Sequence, residues 1–302
     1  MTRQGNSGEV GSRGVVLRSN SREAPENRPP APSSTASSGV ERIEAAFLAA
    51  KDEGRAALMP YMMAGYPDSE TSRAVAEAYA ESADLVELGM PFSDPLADGP
   101  TIHAAATAAL EAGTTLETAM DLCEAISDRV PVVFMVYANM VFAHGGAAEF
   151  AERALEVGAA GAIVPDLPLE EAEPMREEFA AVGLALAPLV APTTPAERRA
   201  RICEAAKGFV YVVSTVGTTG ERDEIPAELS DLVNATKAEA EVPVAVGFGI
   251  GTPAQAAQVG RVADGVIIGS RLVRAAGEAG GPDAAGKTVG SFLRDTRAAL
   301  AG

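Results

Sequence analysis

Between Ala57 and Ile268 the chain repeats one pattern eight times: a short run of β-branched and aliphatic residues, then a longer Ala/Glu-rich stretch of helical period. The apolar runs are Ala57 to Met63, Leu85 to Leu88, Val132 to Tyr137, Gly161 to Val164, Leu184 to Leu189, Phe209 to Val213, Val244 to Val246 and Gly265 to Ile268. The helical stretches include Ser69 to Ser82, Leu116 to Arg129, Ala147 to Val157, Leu169 to Val182, Pro195 to Ala206, Pro226 to Glu239 and Pro253 to Val259. Strands joined by helical crossovers run parallel, and a parallel sheet is covered on both faces. Eight repeats of about 25–30 residues suit a closed barrel better than an open sheet. The sequence therefore predicts an α/β chain folded as a single (β/α)8 TIM barrel over residues 40–302. Val40 to Gly54 supplies an extra N-terminal helix beneath the barrel, and Asp283 to Leu300 a last one.

Residues 1–39 are different in kind, with five Arg, eight Ser, four Pro, no aromatic residue and few branched apolar side chains. Such a segment cannot bury enough apolar surface to fold, and a disordered N-terminal extension is expected there. It lacks the apolar core of a secretory signal, although an Arg- and Ser-rich N-terminus also suits an organelle transit peptide. No apolar run reaches the length of a membrane span. The net charge of -18 repels nucleic acid and anionic membrane surfaces. With Cys123 and Cys203 far apart and His103 and His144 the only imidazoles, neither a disulfide framework nor a His/Cys metal site is expected.

Barrel chemistry belongs at the C-terminal ends of the strands and in the loops that follow. After the second strand runs Glu87-Leu88-Gly89-Met90-Pro91-Phe92-Ser93-Asp94-Pro95-Leu96-Ala97-Asp98-Gly99-Pro100. Glu87 is the one charged residue of its strand; a carboxyl at the inner rim would be desolvated, raised in pKa and suited to proton transfer. A strand-end Glu that simply points to solvent is the alternative. Gly247-Phe248-Gly249 follows the seventh strand and Gly269-Ser270 the eighth, where backbone N–H groups and a helix N-terminus can hold a phosphate. The small, polar stretch Ser214 to Arg222 after the sixth strand reads as a lid over that end.

The Glu87-to-Pro100 loop closely resembles the signature of the tryptophan synthase alpha subunit family. Met135-Val136-Tyr137-Ala138-Asn139, Pro165-Asp166-Leu167-Pro168, Gly217-Thr218-Thr219-Gly220 and Gly247-Phe248-Gly249-Ile250 match further motifs of that family in order, across Val40 to Leu300. The resemblance implies a lyase that cleaves indole-3-glycerol phosphate by a retro-aldol reaction to indole and glyceraldehyde 3-phosphate in tryptophan biosynthesis. It implies no cofactor or metal in this subunit, a cytoplasmic location, and a pyridoxal-phosphate-dependent beta subunit as partner in an alpha2beta2 heterotetramer. By the same resemblance Glu87 transfers protons, Asp98 accepts a hydrogen bond from the indole N–H, and Tyr211 orients the reacting hydroxyl. Tyr61, Val136, Tyr137, Ile163 and Phe248 would line the indole slot, with ordinary barrel core as the alternative, closest to equal for Val136. Thr219, Gly220, Phe248, Gly249, Gly269 and Ser270 would bind the phosphate end, and Pro91, Asp94, Asn139 and Pro168 would meet the beta subunit. The sequence departs from the family's common pattern at Met63, His103, Thr215 and Thr218. A stand-alone indole-releasing lyase, an inactive barrel kept as a binding partner, and another phosphate-binding barrel enzyme are the competing readings.

Overall fold

In the computed structural model, residues 1–2, 37–213, 227–247 and 249–302 are described. The expected extension over residues 1–39 falls largely outside them. Residues 37–302 form one compact unit, whose strands are β1 (Ala57–Met63), β2 (Val86–Gly89), β3 (Val132–Met135), β4 (Gly161–Ile163), β5 (Ala185–Leu186), β6 (Leu189–Val190), β7 (Val210–Val213), β8 (Val244–Gly247) and β9 (Gly265–Ile268). All neighbours pair in parallel, in the order β5-β4-β3-β2-β1-β9-β8-β7-β6.

The two ends of this order are consecutive in the chain. β5 and β6 are the halves of the single run expected over Leu184 to Leu189, parted at Ala187 and Pro188. Proline has no N–H for a ladder and interrupts a strand wherever it falls. Here the ladders change sides at the interruption: the Ala187 N–H donates to the Ala162 carbonyl at 2.9 Å, and the Pro188 carbonyl accepts from the Tyr211 N–H at 3.0 Å. The sheet thus closes through one interrupted strand, as the (β/α)8 reading requires.

Among the described residues twelve α-helices accompany the sheet. They are α1 (Gly39–Asp52), α2 (Ser69–Ser82), α3 (Pro100–Glu111), α4 (Leu116–Glu124), α5 (Ala138–Ala143), α6 (Gly146–Glu156), α7 (Glu173–Ala181), α8 (Ala196–Ala205), α9 (Ala227–Glu239), α10 (Pro253–Gly260), α11 (Ser270–Glu278) and α12 (Pro282–Ala301). Helices α3, α5 and α11 were not anticipated from periodicity; all three begin immediately behind residues of the candidate site. The stretch expected as one helix from Leu169 to Val182 is a 3-10 turn, Leu169–Glu171, followed by α7, because Pro174 sits where only the first turn of a helix accepts it. No helix among the described residues is long and apolar enough to cross a membrane.

Helix α1 starts one residue before the expected Val40, where Ser38 and Glu41 form a reciprocal capping box. Its buried residues Ile43, Phe47 and Ala50 recur at helical spacing and join Met59, Leu85, Val133, Ile163, Phe209 and Ala245 in an apolar layer inside the barrel. That layer closes the N-terminal end. A larger cluster, with Leu88, Phe134, Phe150 and Phe179, fills the space between the barrel and its helices.

A charged knot ties α1, β1, β2 and α12 together beneath the barrel. Arg55, whose side chain is almost wholly buried, grips both oxygens of Asp84; Asp84 also accepts the Leu58 N–H at 2.7 Å and a bond from Arg297 at 2.9 Å. Arg297 continues to Glu53. Removing Asp84 leaves the buried Arg55 guanidinium to the exposed Glu53 carboxylate at 2.8 Å and the Ala56 carbonyl at 3.1 Å, and breaking such a buried pair costs about 3–5 kcal/mol. Asp84→Ala is therefore expected to lower Tm by roughly 10 °C in scanning calorimetry. An unchanged Tm would mean that the knot carries no net stability.

Candidate active site

Side chains alternate along each strand, so Leu88 and Val86 face the helices while Leu85 and Glu87 face the barrel axis. The same alternation turns Tyr61 of β1, Met135 of β3, Tyr211 of β7 and Ile267 of β9 inward near the C-terminal end of the sheet. Backbone register sets Tyr61 beside Glu87 and Leu189 beside Tyr211. Two glycines make room for the large rings: a Cβ at Gly89 would overlap the Tyr61 hydroxyl, and one at Gly247 the Tyr211 hydroxyl. A cavity of about 200 Å³ opens above this layer, lined by these residues and by Asp98, Gly249, Gly269 and Ser270.

Glu87 is 1% exposed, and its Oε2 has no hydrogen-bond partner among the described residues. Burial pushes its carboxyl up to about 8, with the nearby Asp98 charge adding to the rise. The solvent-facing alternative for Glu87 is thereby removed. Asp98, at the end of the loop after β2, is also raised: burial outweighs the hydrogen bond from Tyr137 and the attraction of His103. The Tyr61 and Tyr211 hydroxyls are held well above their usual range, by burial first and by the two carboxylates second. Two carboxyl groups, both raised by burial and Asp98 offset in part by its Tyr137 hydrogen bond, thus face the same cavity.

Tyr137 plays a different part from the one expected. Its hydroxyl accepts the Ala97 N–H at 3.1 Å and donates to Asp98, while its ring lies 5.1 Å from that of Phe92. One side chain therefore holds both ends of the loop between Met90 and Asp98, behind the cavity wall. Val136 and Ile163 do not line the cavity: Val136 packs between barrel and helices and Ile163 in the sealed lower layer. Asp166 accepts the Ala138 N–H at 2.9 Å and fixes the start of α5.

At the far end, Gly249, Gly269 and Ser270 meet the N-terminus of α11. Gly269 is the N-cap and no side chain caps the helix, so its leading N–H groups and partial positive charge address the cavity. An anion would be bound there by backbone dipoles. Thr219, Gly220, Phe248, Thr215 and the expected lid from Ser214 to Arg222 lie outside the described residues. Sequence reading missed Arg271 and Arg274, which also line the cavity; their spacing of three on a helix that starts at Ser270 was the available signal. Among the described residues, no three His, Cys, Asp or Glu side chains gather where a metal ion could be held.

Of the residues expected to meet a partner, Asp94, Asn139 and Pro168 are exposed and Pro91 is buried. The large apolar side chains of Leu96 and Phe142 are exposed as well, at 84% and 59%. His103 is exposed on α3, close enough for its charge to act on Asp98.

A family model described as tryptophan synthase alpha chain matches residues 47–296. The tryptophan synthase alpha chain of Prochlorococcus marinus (strain MIT 9313) is 47% identical over 269 residues, which cover 87% of this chain and 94% of that one. A solved structure of Mycobacterium tuberculosis tryptophan synthase superposes with a TM-score of 0.79 at 37% identity, covering 88% of this chain and 99% of its own. A chain of the tryptophan synthase a2b2 complex from Pyrococcus furiosus does so with a TM-score of 0.75 at 36% identity, covering 80% and 98%.

The raised carboxyl of Glu87 has a thermodynamic signature. Its proton is retained in the folded chain up to about pH 8 but is lost near 4.5 when unfolded. Over that window the unfolded state binds fewer protons, so this group's contribution to stability falls as pH rises. Glu87→Gln removes the effect, and its Tm relative to wild type is expected to climb between pH 5 and pH 8 in differential scanning fluorimetry. A pH-independent difference would mean that the carboxyl ionises normally.

Proposed function

The chain belongs to the tryptophan synthase alpha chain family, and from that premise we propose that Glu87 and Asp98 carry out the cleavage of indole-3-glycerol phosphate here. The observation that carries the reading is Glu87: a carboxyl buried without a partner, protonated near neutrality, in the same cavity as Asp98 and an uncapped helix N-terminus. Retro-aldol cleavage needs one proton delivered to indole C3 and one removed from the hydroxyl on the carbon that departs. Protonated Glu87 gives its proton to C3, leaving a cationic ring whose N–H is held by Asp98. As a carboxylate, Glu87 then takes the hydroxyl proton. The C–O bond becomes the aldehyde carbonyl, and the pair from the broken C–C bond returns to the ring as indole. Glu87 ends as it began, so the cycle runs on this chain's own side chains without a cofactor.

Tyr211 and Tyr61, whose hydroxyls stay protonated beside the carboxylates, orient the substrate, and the phosphate lies against Gly249, Gly269 and Ser270; the family resemblance assigns Thr219, Gly220 and Phe248 to the same end. Cytoplasmic location is part of this proposal. The partner is a tryptophan synthase beta subunit in an alpha2beta2 assembly, and the exposed Leu96 and Phe142 beside Asp94, Asn139 and Pro168 support its seat at the cavity mouth.

Glu87→Gln preserves size but cannot cycle a proton, and a loss on the order of 10²- to 10⁴-fold in indole release is expected, with a similar direction for Asp98→Asn. Near-normal turnover in Glu87→Gln under conditions where chemistry limits the rate would remove it from the mechanism. Asp94 shares the Tyr137-held loop with Asp98, so Asp94→Ala is expected to diminish activation by added beta subunit more than it diminishes basal turnover. Stimulation equal to that of wild type would exclude this loop as the coupling element.

A further inference from the structure

Four charged residues line the described part of the cavity: Glu87 of β2, Asp98 of the loop that follows it, and Arg271 and Arg274 of α11. The arginines are three residues apart on α11 and share one face, immediately behind Gly269 and Ser270. The Arg271 guanidinium lies 5.3 Å from the centre of the Phe292 ring on α12. A guanidinium stacked on a ring face leaves its in-plane N–H edges for other acceptors. Arg274 is one turn into the helix, where the backbone N–H is committed to the helical ladder, so what it brings to the cavity is its side chain.

Charge magnitudes say why this matters. A helix N-terminus offers about half a positive charge, whereas a phosphate monoester carries roughly -1.5 to -2 near neutrality. Backbone dipoles leave most of that charge unmatched, in a chain whose net charge of -18 repels anions at a distance. We infer that Arg271 and Arg274 form a cationic rim at the phosphate end, matching the dianion when it is bound and drawing it to the cavity beforehand. This inference rests on the function proposed above and assigns the two arginines a role in binding and selectivity, not in proton transfer.

Arg271→Gln, Arg274→Gln, the double variant and the Lys counterparts test it in the full chain. In the double variant KM for indole-3-glycerol phosphate is expected to rise about 10- to 100-fold with kcat within about threefold, and the decline of kcat/KM with salt should flatten. Lysine should restore the salt dependence and part of the affinity, since it keeps the charge but loses the planar fork. Calorimetric titration with glycerol 3-phosphate should weaken to match, while binding of uncharged indole stays unchanged. Wild-type affinity for glycerol 3-phosphate in the double variant, or equal loss of indole and glycerol 3-phosphate binding, overturns the inference. Because the titration needs no turnover, it reads the arginines even if the wild-type chain released no indole, the result that would refute the functional proposal instead.

Discussion

A parallel sheet has no edge once it closes, and closure here runs through the strand interrupted at Pro188. The strand that contains it serves β4 before the interruption and β7 after it. Everything at the site follows from that join. A closed sheet has an inside, and strand alternation fills the inside with one layer of apolar residues near α1 and one layer containing Tyr61, Glu87, Met135 and Tyr211 above it. In an open sheet the same Glu87 would meet a helix or water. In the barrel it meets neither, and its oxygen stays unpartnered.

The cost of that arrangement is visible in the electrostatics. A carboxyl held without a partner in an apolar layer opposes stability at the pH where the enzyme family works, and the fold carries it because the reaction requires a proton donor that water has not already ionised. Asp98 differs by having Tyr137 as donor, which keeps it readier to ionise than burial alone would permit. The two carboxyl groups sit at opposite ends of one loop, and their hydrogen-bond environments set them apart.

Most of the barrel was legible in the sequence because strand and helix periods alternate cleanly; β1 and β9 and helix α2 begin and end at the residues that periodicity indicates. Strand five was harder to read, since its apolar run conceals a proline whose effect depends on which neighbours it joins. Helices α3, α5 and α11 escaped because they are short or follow directly on site motifs that read as loop. Glu87 stood out as a lone charge in an apolar run, but its missing partner and raised pKa come from residues brought in from β1, β3, β7 and β9. Tyr137 shows the opposite limit. The residue type suggested contact with a ring-shaped substrate, while its hydroxyl is engaged by Ala97 and Asp98, forty residues away in the chain.

The apolar plug formed by α1 and the lower barrel layer makes the reaction chamber a blind alley. Ile43 and Phe47 stopper one end, so substrate and both products must share the other as doorway. At that end of the sheet the loop after β2 and the helix after β3 expose two large apolar side chains, Leu96 and Phe142. Apolar surface of that kind favours contact with a flat, apolar indole over a hydrated aldehyde phosphate. A stopper at the floor of the barrel thus gives the two products different manners of departure at its ceiling.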